Sequence, residues 1–430
     1  MEISQIIILI IPLIFFLSLI IILKIHTKNW LHPATFYSLI WFILILLPLI
    51  FLPNEITSSL GIYWILFTSI VFSAGALLTT DHLKNQDSAK SEKDIKTTQN
   101  SILKQIRILV ITSILIGILA SLITIIYQGE FSSLLSLNSY TEITKTLSYI
   151  RYYSGYVPPL LSQILLFAVY LSPLLGGILF SIKKTKRDLI LSISSIIPAI
   201  LIFLLHTTRY PVIASIVLWL SAYFSFNIYL NKRIKIITKK TIIASLLILI
   251  FLFLITFATL SLRIGRSTPS EYISYQIQTE KATLFGHLPA FSHWFKDSYN
   301  SINSPSIGRY TFSGIFNILK IKERTPGLYT DYVTIERDRT NIFTAHRGLI
   351  EDFNLIGSLI FIFLIGMIVG KSYSETRNKN LKLSPILTLF YSFTFLSFIA
   401  SILNYNSIIL AILIYSVIIF SLSKKLKKPR

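Results

Sequence analysis

Between Thr344 and Gly370 the chain reads "TAHRGLIEDFNLIGSLIFIFLIGMIVG". A basic pair, His346 and Arg347, and an acidic pair, Glu351 and Asp352, stand just ahead of an unbroken apolar run. The run is long enough to cross roughly 30 Å of hydrocarbon as a helix. Ionisable groups at membrane depth are costly unless solvated or paired, and they mark functional candidates. The stretch reads as a transmembrane helix with chemistry at its entrance.

The same texture recurs along the chain. It has 430 residues, 53% of them hydrophobic and only 14% charged, with a mean hydropathy of +0.68. A soluble protein of this length needs far more polar surface to cover its core. The expected fold class is an all-α polytopic membrane protein with about eleven transmembrane helices. The first eight are Ser4 to Leu23, Ala34 to Leu52, Leu60 to Thr79, Ile108 to Tyr127, Leu160 to Ile182, Leu189 to Leu205, Pro211 to Leu230 and Thr241 to Leu262. The last three are Leu349 to Gly370, Ser384 to Leu403 and Ser407 to Leu422. A long extracytoplasmic segment separates the two groups. The chain thus divides into residues 1–262 with eight helices, 263–348 as the long loop with short interfacial helices such as "FSGIFNILKI", and 349–430 with three helices and a basic tail.

Lys and Arg total 40 against 19 Asp and Glu, a net charge of +21. Of those 40, 26 fall in the loops on one side if the N-terminus is outside and the C-terminus inside. This is the basic bias of cytoplasmic loops, and it accounts for most of the charge without nucleic acid. Glu2 precedes the first apolar run, and Lys24 and Lys28 follow it, an order unlike a cleaved signal. There are no cysteines, so no disulfide or thiol chemistry enters.

In this topology the intramembrane charges gather on the outer side. Arg209 sits in "LLHTTRYPVIAS", where Pro211 suits the first turn of the next helix. Arg263 and Arg266 in "LSLRIGRST" end the eighth span, beside the negative end of its dipole. Arg347 and Glu351 are four apart and share a helical face, with Asn354 expected on that face too. Glu351 and Asp352, being consecutive, point about 100° apart. Guanidinium forks match phosphate oxygens and stay ionised, so Arg209, Arg263, Arg266 and Arg347 form a candidate pyrophosphate site. Glu351 is the first candidate base for a hydroxyl proton, with Asp352 and His346 as alternatives. Trp294, Tyr310, Phe312, Tyr329 and Tyr332 in the long segment suit sugar rings, though an interfacial belt plus a small local core accounts for most of them. His206, His287 and His293 lack ligand spacing, and no metal motif appears.

"TNIFTAHRGLIEDFNLIG" resembles the signature that opens a late transmembrane helix in the bacterial oligosaccharide repeat-unit polymerases, the O-antigen polymerase family. "HTTRYPVIAS" resembles that family's Ser/Thr-Arg turn before a helix. Asn354 stands where glycine is usual after Asp-Phe, a place associated with close helix packing, while Gly357 is kept. The resemblance implies a C-type glycosyltransferase architecture in the cytoplasmic membrane, acting on its outer face. It implies undecaprenyl-pyrophosphate-linked oligosaccharides as donor and acceptor, inverting transfer without metal or cofactor, membrane lipids around the chain and a chain-length regulator as a further partner. An O-antigen ligase shares this architecture and differs in its acceptor. A flippase or other transporter of lipid-linked oligosaccharide is the alternative from a different class, although it would be expected to carry charge at mid-span and an internal repeat.

Overall fold

The computed structural model describes residues 3–80, 92–127, 159–206, 208–232, 270–298, 305–321, 328–336 and 338–427, with isolated residues between 238 and 258. The helices are α1 (Ile3–Thr27), α2 (Pro33–Phe51), α3 (Leu60–Thr79), α4 (Glu92–Tyr127), α5 (Leu160–Leu165) and α6 (Phe167–Ile182). They continue with α7 (Lys186–Ser194), α8 (Ile197–His206), α9 (Tyr210–Tyr229), α10 (Ser270–Phe285), α11 (His287–Ser298) and α12 (Ser313–Ile318). A two-stranded antiparallel hairpin, β1 (Val333–Ile335) and β2 (Asp338–Thr340), precedes α13 (Ala345–Arg377), α14 (Ser384–Leu396) and α15 (Asn406–Lys427).

Among the described residues, nine helical segments are long and apolar enough to cross a membrane. Their outer faces suit that setting. On α13, Ile356, Ile360, Leu364 and Ile368 form an exposed stripe at every fourth residue. A contiguous apolar face of this kind is not sustained in water. The chain is an all-α multi-pass membrane protein. Most of the eighth expected span lies outside the described residues, as do Arg263 and Arg266. The tenth is shorter than expected. Its helix ends at Leu396, and the buried backbone beyond it serves a neighbour, the Ser397 carbonyl accepting the Ala345 amide at 2.7 Å. Non-helical backbone at this depth is tolerated because protein supplies its partners.

The chain forms two compact units. The first comprises Met1–Lys84, Ile277–Lys379 and Leu389–Asn406. Its spine is a close crossing of α3 and α13. A Cβ on Gly366 would strike the Phe72 carbonyl oxygen, and one on Gly370 the Ala76 carbonyl oxygen. Thr79 Oγ1 donates to the Met367 carbonyl at 2.7 Å. Gly366-Met-Ile-Val-Gly370 is the small-xxx-small spacing that lets membrane helices approach backbone to backbone.

The second unit comprises Asn85–Gln276, Asn380–Thr388 and Ser407–Arg430. Here α6 packs on α9 through Gly177, with Trp219 and Tyr223 backbone against it. Serines tie its broken helices together, Ser172 Oγ donating to Ser195 O at 2.7 Å and Ser192 Oγ to Gly176 O at 2.8 Å. Arg107 grips Asp188 with two bonds, Nε to Oδ1 at 2.5 Å and Nη2 to Oδ2 at 2.9 Å. Asp188 also closes a capping box with Thr185 at the start of α7.

Within α13 the helix breaks at Asn354, whose backbone sits at φ 59°, ψ −179°. The cause lies outside the helix. The Ser306 and Ile307 amides donate to the carbonyls of Glu351 and Asp352 at 3.0 and 3.1 Å. Those carbonyls would otherwise serve the i+4 ladder, and a foreign donor inserted there kinks a helix. The expectation that Asn354 shares the Arg347–Glu351 face is therefore corrected: Asn354 is an exposed hinge between two helical pieces. Its dihedrals belong to a region that is essentially glycine-only and costs other residues about 1–3 kcal/mol. Asn354→Gly is expected to raise the thermal unfolding midpoint of the detergent-purified protein, and Asn354→Ala to lower it.

Candidate functional site

The site is built where the ends of several unit-one elements meet. His287 opens α11, its Nε2 3.0 Å from the Leu44 carbonyl of α2 and its Nδ1 3.3 Å from Leu284 O. Burial pushes the His287 ring down to about 4, so at neutral pH it is uncharged and its single N–H donates to one of the two carbonyls. One turn on, Ser292 Oγ hydrogen-bonds the Ser58 carbonyl ahead of α3. The hairpin is anchored by Ile335, buried with Leu52 and Ala282. These contacts hold α11 and the approach to β1 over the first turns of α13.

Arg347 lies at the centre, with its side chain 6% exposed. Its Nε donates to Glu351 Oε1 at 2.8 Å, and its Nη1 lies 2.7 Å from Asp331 Oδ2. Aromatic rings enclose the guanidinium, with centroids at 4.0 Å for Tyr329, 4.1 Å for Phe343 and 5.1 Å for Trp294. Such cation–π contacts strengthen when desolvated. Tyr310 stacks on Tyr329 at 5.4 Å, beside the Glu351 carboxylate. Burial, reinforced by the Glu351 charge, raises the Tyr310 phenol and raises Tyr329 well above the usual phenol range. Both stay protonated. Gly348 makes the stack fit, because a Cβ there would lie 3.2 Å from both Tyr310 and Tyr329.

The four groups in the opening stretch take different parts. The spacing of Arg347 and Glu351 predicts their pairing, and the structure has it. Asp352 turns the other way and is fully buried. It accepts the Ser306 hydroxyl, the Tyr310 amide at 3.0 Å and the Thr311 amide at 2.6 Å. Its carboxylate fastens residues 306–311 onto α13, which leaves it poorly placed to act as a base. His346 is also buried, its ring 4.6 Å from Trp41 and 6.2 Å from Phe291, with no hydrogen bond to either ring nitrogen. That is a packing position.

Arg347 was expected among pyrophosphate ligands. Two carboxylates already face it, so the local charge is negative. Arg209 is described in the other unit, half-buried at the turn before α9, with Pro211 in the first helical turn as expected. The structure thus bears on Arg347 and Glu351 as a pair, while Arg263 and Arg266 fall outside its described residues.

Beside Arg347 lies a cavity of about 420 Å³. Asp331, Trp294 and Phe343 line it and also touch the guanidinium; Tyr332, Asp297 and His293 complete its main walls. The volume is in the range of small-ligand sites. Sequence reasoning missed Asp331 and Asp297, because nothing local links either to Arg347. Among the described residues no cluster of His, Asp and Glu has the geometry to hold a metal ion. Phe312 packs on Phe361 at 6.0 Å and belongs to the helix surface. No protein-family model matches the chain, and neither a curated protein nor a solved structure does.

Proposed function

We propose that this protein is a membrane glycosyltransferase that joins lipid-linked oligosaccharide repeat units into surface polysaccharide. In this reading it lies in the cytoplasmic membrane with its N-terminus outside, and the cavity faces the extracytoplasmic side. The observation that carries the reading is the cavity itself. Aromatic rings and carboxylates side by side match the apolar faces and hydroxyl donors of a sugar. The buried Arg347–Glu351 pair stands directly behind it. The basic bias of the opposite loops and the resemblance of residues 340–357 to the polymerase signature support the same side and chemistry.

In the proposed reaction a carboxylate, Glu351 or the cavity-facing Asp331, takes the proton of the acceptor hydroxyl. The freed oxygen attacks the donor's anomeric carbon from the side opposite the pyrophosphate. The bond to the pyrophosphate oxygen breaks with its electron pair, leaving lipid pyrophosphate and an inverted linkage. Arg209, Arg263 and Arg266 are the candidates to stabilise that leaving charge. Arg347 orients the base and takes no part in gripping the leaving group.

Glu351→Gln keeps an oxygen for Arg347 Nε and removes the basic site. A general base contributes roughly 10²–10⁴-fold in rate, and a leaving-group arginine on the order of 10²-fold or more. In a strain whose surface polysaccharide depends on this protein, Glu351→Gln and Arg209→Ala should each collapse the chain ladder toward single units at normal protein levels. Full-length ladders from both would overturn the assignment.

A further inference from the structure

We propose that the cavity beside Arg347 is an acceptor-sugar subsite that admits uncharged or ammonium-bearing rings and turns away sugar acids. The inference rests on the reading of the chain as a glycan-transfer enzyme and adds the class of sugar it takes.

The charge of the walls carries it. Among the described residues, the carboxylates and imidazole on the cavity surface are those of Asp297, Asp331 and His293. The two carboxylate side chains line the cavity and are about half exposed, at 53% and 54%. His293 Nδ1 lies 3.0 Å from Asp297 Oδ2, which ties the imidazole to a carboxylate. The Arg347 guanidinium behind the wall is enclosed by rings and shared between Asp331 and Glu351. With His293 neutral, the three carboxylates outweigh Arg347 by two charges. Protonating His293 halves that excess and does not reverse it.

A ligand carboxylate or phosphate placed here meets like charge from Asp297 and Asp331, at contact distances shorter than the screening length even though water reaches both groups. A neutral ring meets carboxylate acceptors for its hydroxyl donors and the rings of Trp294, Tyr332 and Phe343 for its apolar face. An ammonium gains further from the carboxylates and the aromatic faces. The subsite is therefore selective by charge, and the donor's pyrophosphate has to be held elsewhere.

The test uses the full chain in lipid nanodiscs on a printed array of defined bacterial oligosaccharides covering neutral, amino-sugar and uronic-acid members. The wild type should bind non-acidic glycans at least tenfold more strongly than acidic ones. Trp294→Ala should abolish that binding. Because it can also disturb α11, the exposed Asp297→Lys carries the charge test and should narrow or reverse the ratio. Equal or stronger binding of acidic glycans, or a ratio unmoved by Asp297→Lys, overturns the subsite and leaves the glycan-transfer reading standing. Wild-type binding no greater than that of empty nanodiscs for every glycan overturns both.

Discussion

Arg347→Ala is expected to cost the protein its stability before any loss of activity can be read. The substitution strands Glu351, whose side chain is 13% exposed and whose cationic partner is Arg347. Breaking one side of a buried pair costs about 3–5 kcal/mol, chiefly because the remaining charge is uncompensated. The half-exposed Asp331 adds little, since water already screens it. Three aromatic rings also lose the group that fills the space between them. Arg347→Lys should recover only part of the loss, because an ammonium has neither the planar fork nor the stacking face. Arg347→Met combined with Glu351→Leu should recover most of it, as apolar replacement of a whole buried pair is often neutral or better. Thermal unfolding in detergent reads all three. An Arg347→Ala midpoint within two or so degrees of wild type would mean that the pair does not hold this end of the protein together. The double variant should be stable and inactive, which separates the structural part of the pair from its chemical part.

The second large effect is expected at the α3–α13 crossing. Leucine at Gly366 or Gly370 would place its Cβ on a backbone carbonyl oxygen of α3, an obstacle that cannot rotate away. Overpacking a well-filled interior typically costs about 1–3 kcal/mol and more where the backbone must move. The combined Gly366→Leu and Gly370→Leu variant should fail to give a monodisperse protein. Gly357→Ala is the control on the same helix, since a Cβ there meets only the Phe353 side chain. Size-exclusion profiles and melting curves decide the matter. A doubly substituted protein that elutes and melts like wild type would show that the helices do not cross where these glycines lie.

The spans were legible because a membrane helix is written as an uninterrupted apolar run, and Leu60–Thr79 needs no other information. The Arg347–Glu351 pair was legible from its spacing, and the separate fates of Glu351 and Asp352 follow from the turn between neighbouring helical residues. The break at Asn354 was not legible, since its cause is a pair of amides from residues 306 and 307, more than forty positions away. Asp331 escaped notice for a related reason: it reaches Arg347 only because a hairpin anchored by Ile335 holds it there. The end of α14 at Leu396 was hidden because the residues after it remain apolar, while the backbone contact from Ser397 to Ala345 decides the outcome. The glycines at 366 and 370 were in plain view, and reading their spacing would have located the crossing.

The most direct test of glycan transfer is made with purified protein in nanodiscs, supplied with one lipid-linked repeat unit and no nucleotide sugar or divalent metal. Mass spectrometry of the lipid-linked products should show two, three and more repeat masses, with one lipid pyrophosphate released for each new linkage. A correctly folded preparation that leaves the repeat unit at its original mass, with a lipid-linked substrate matched to the strain's own polysaccharide, would contradict it.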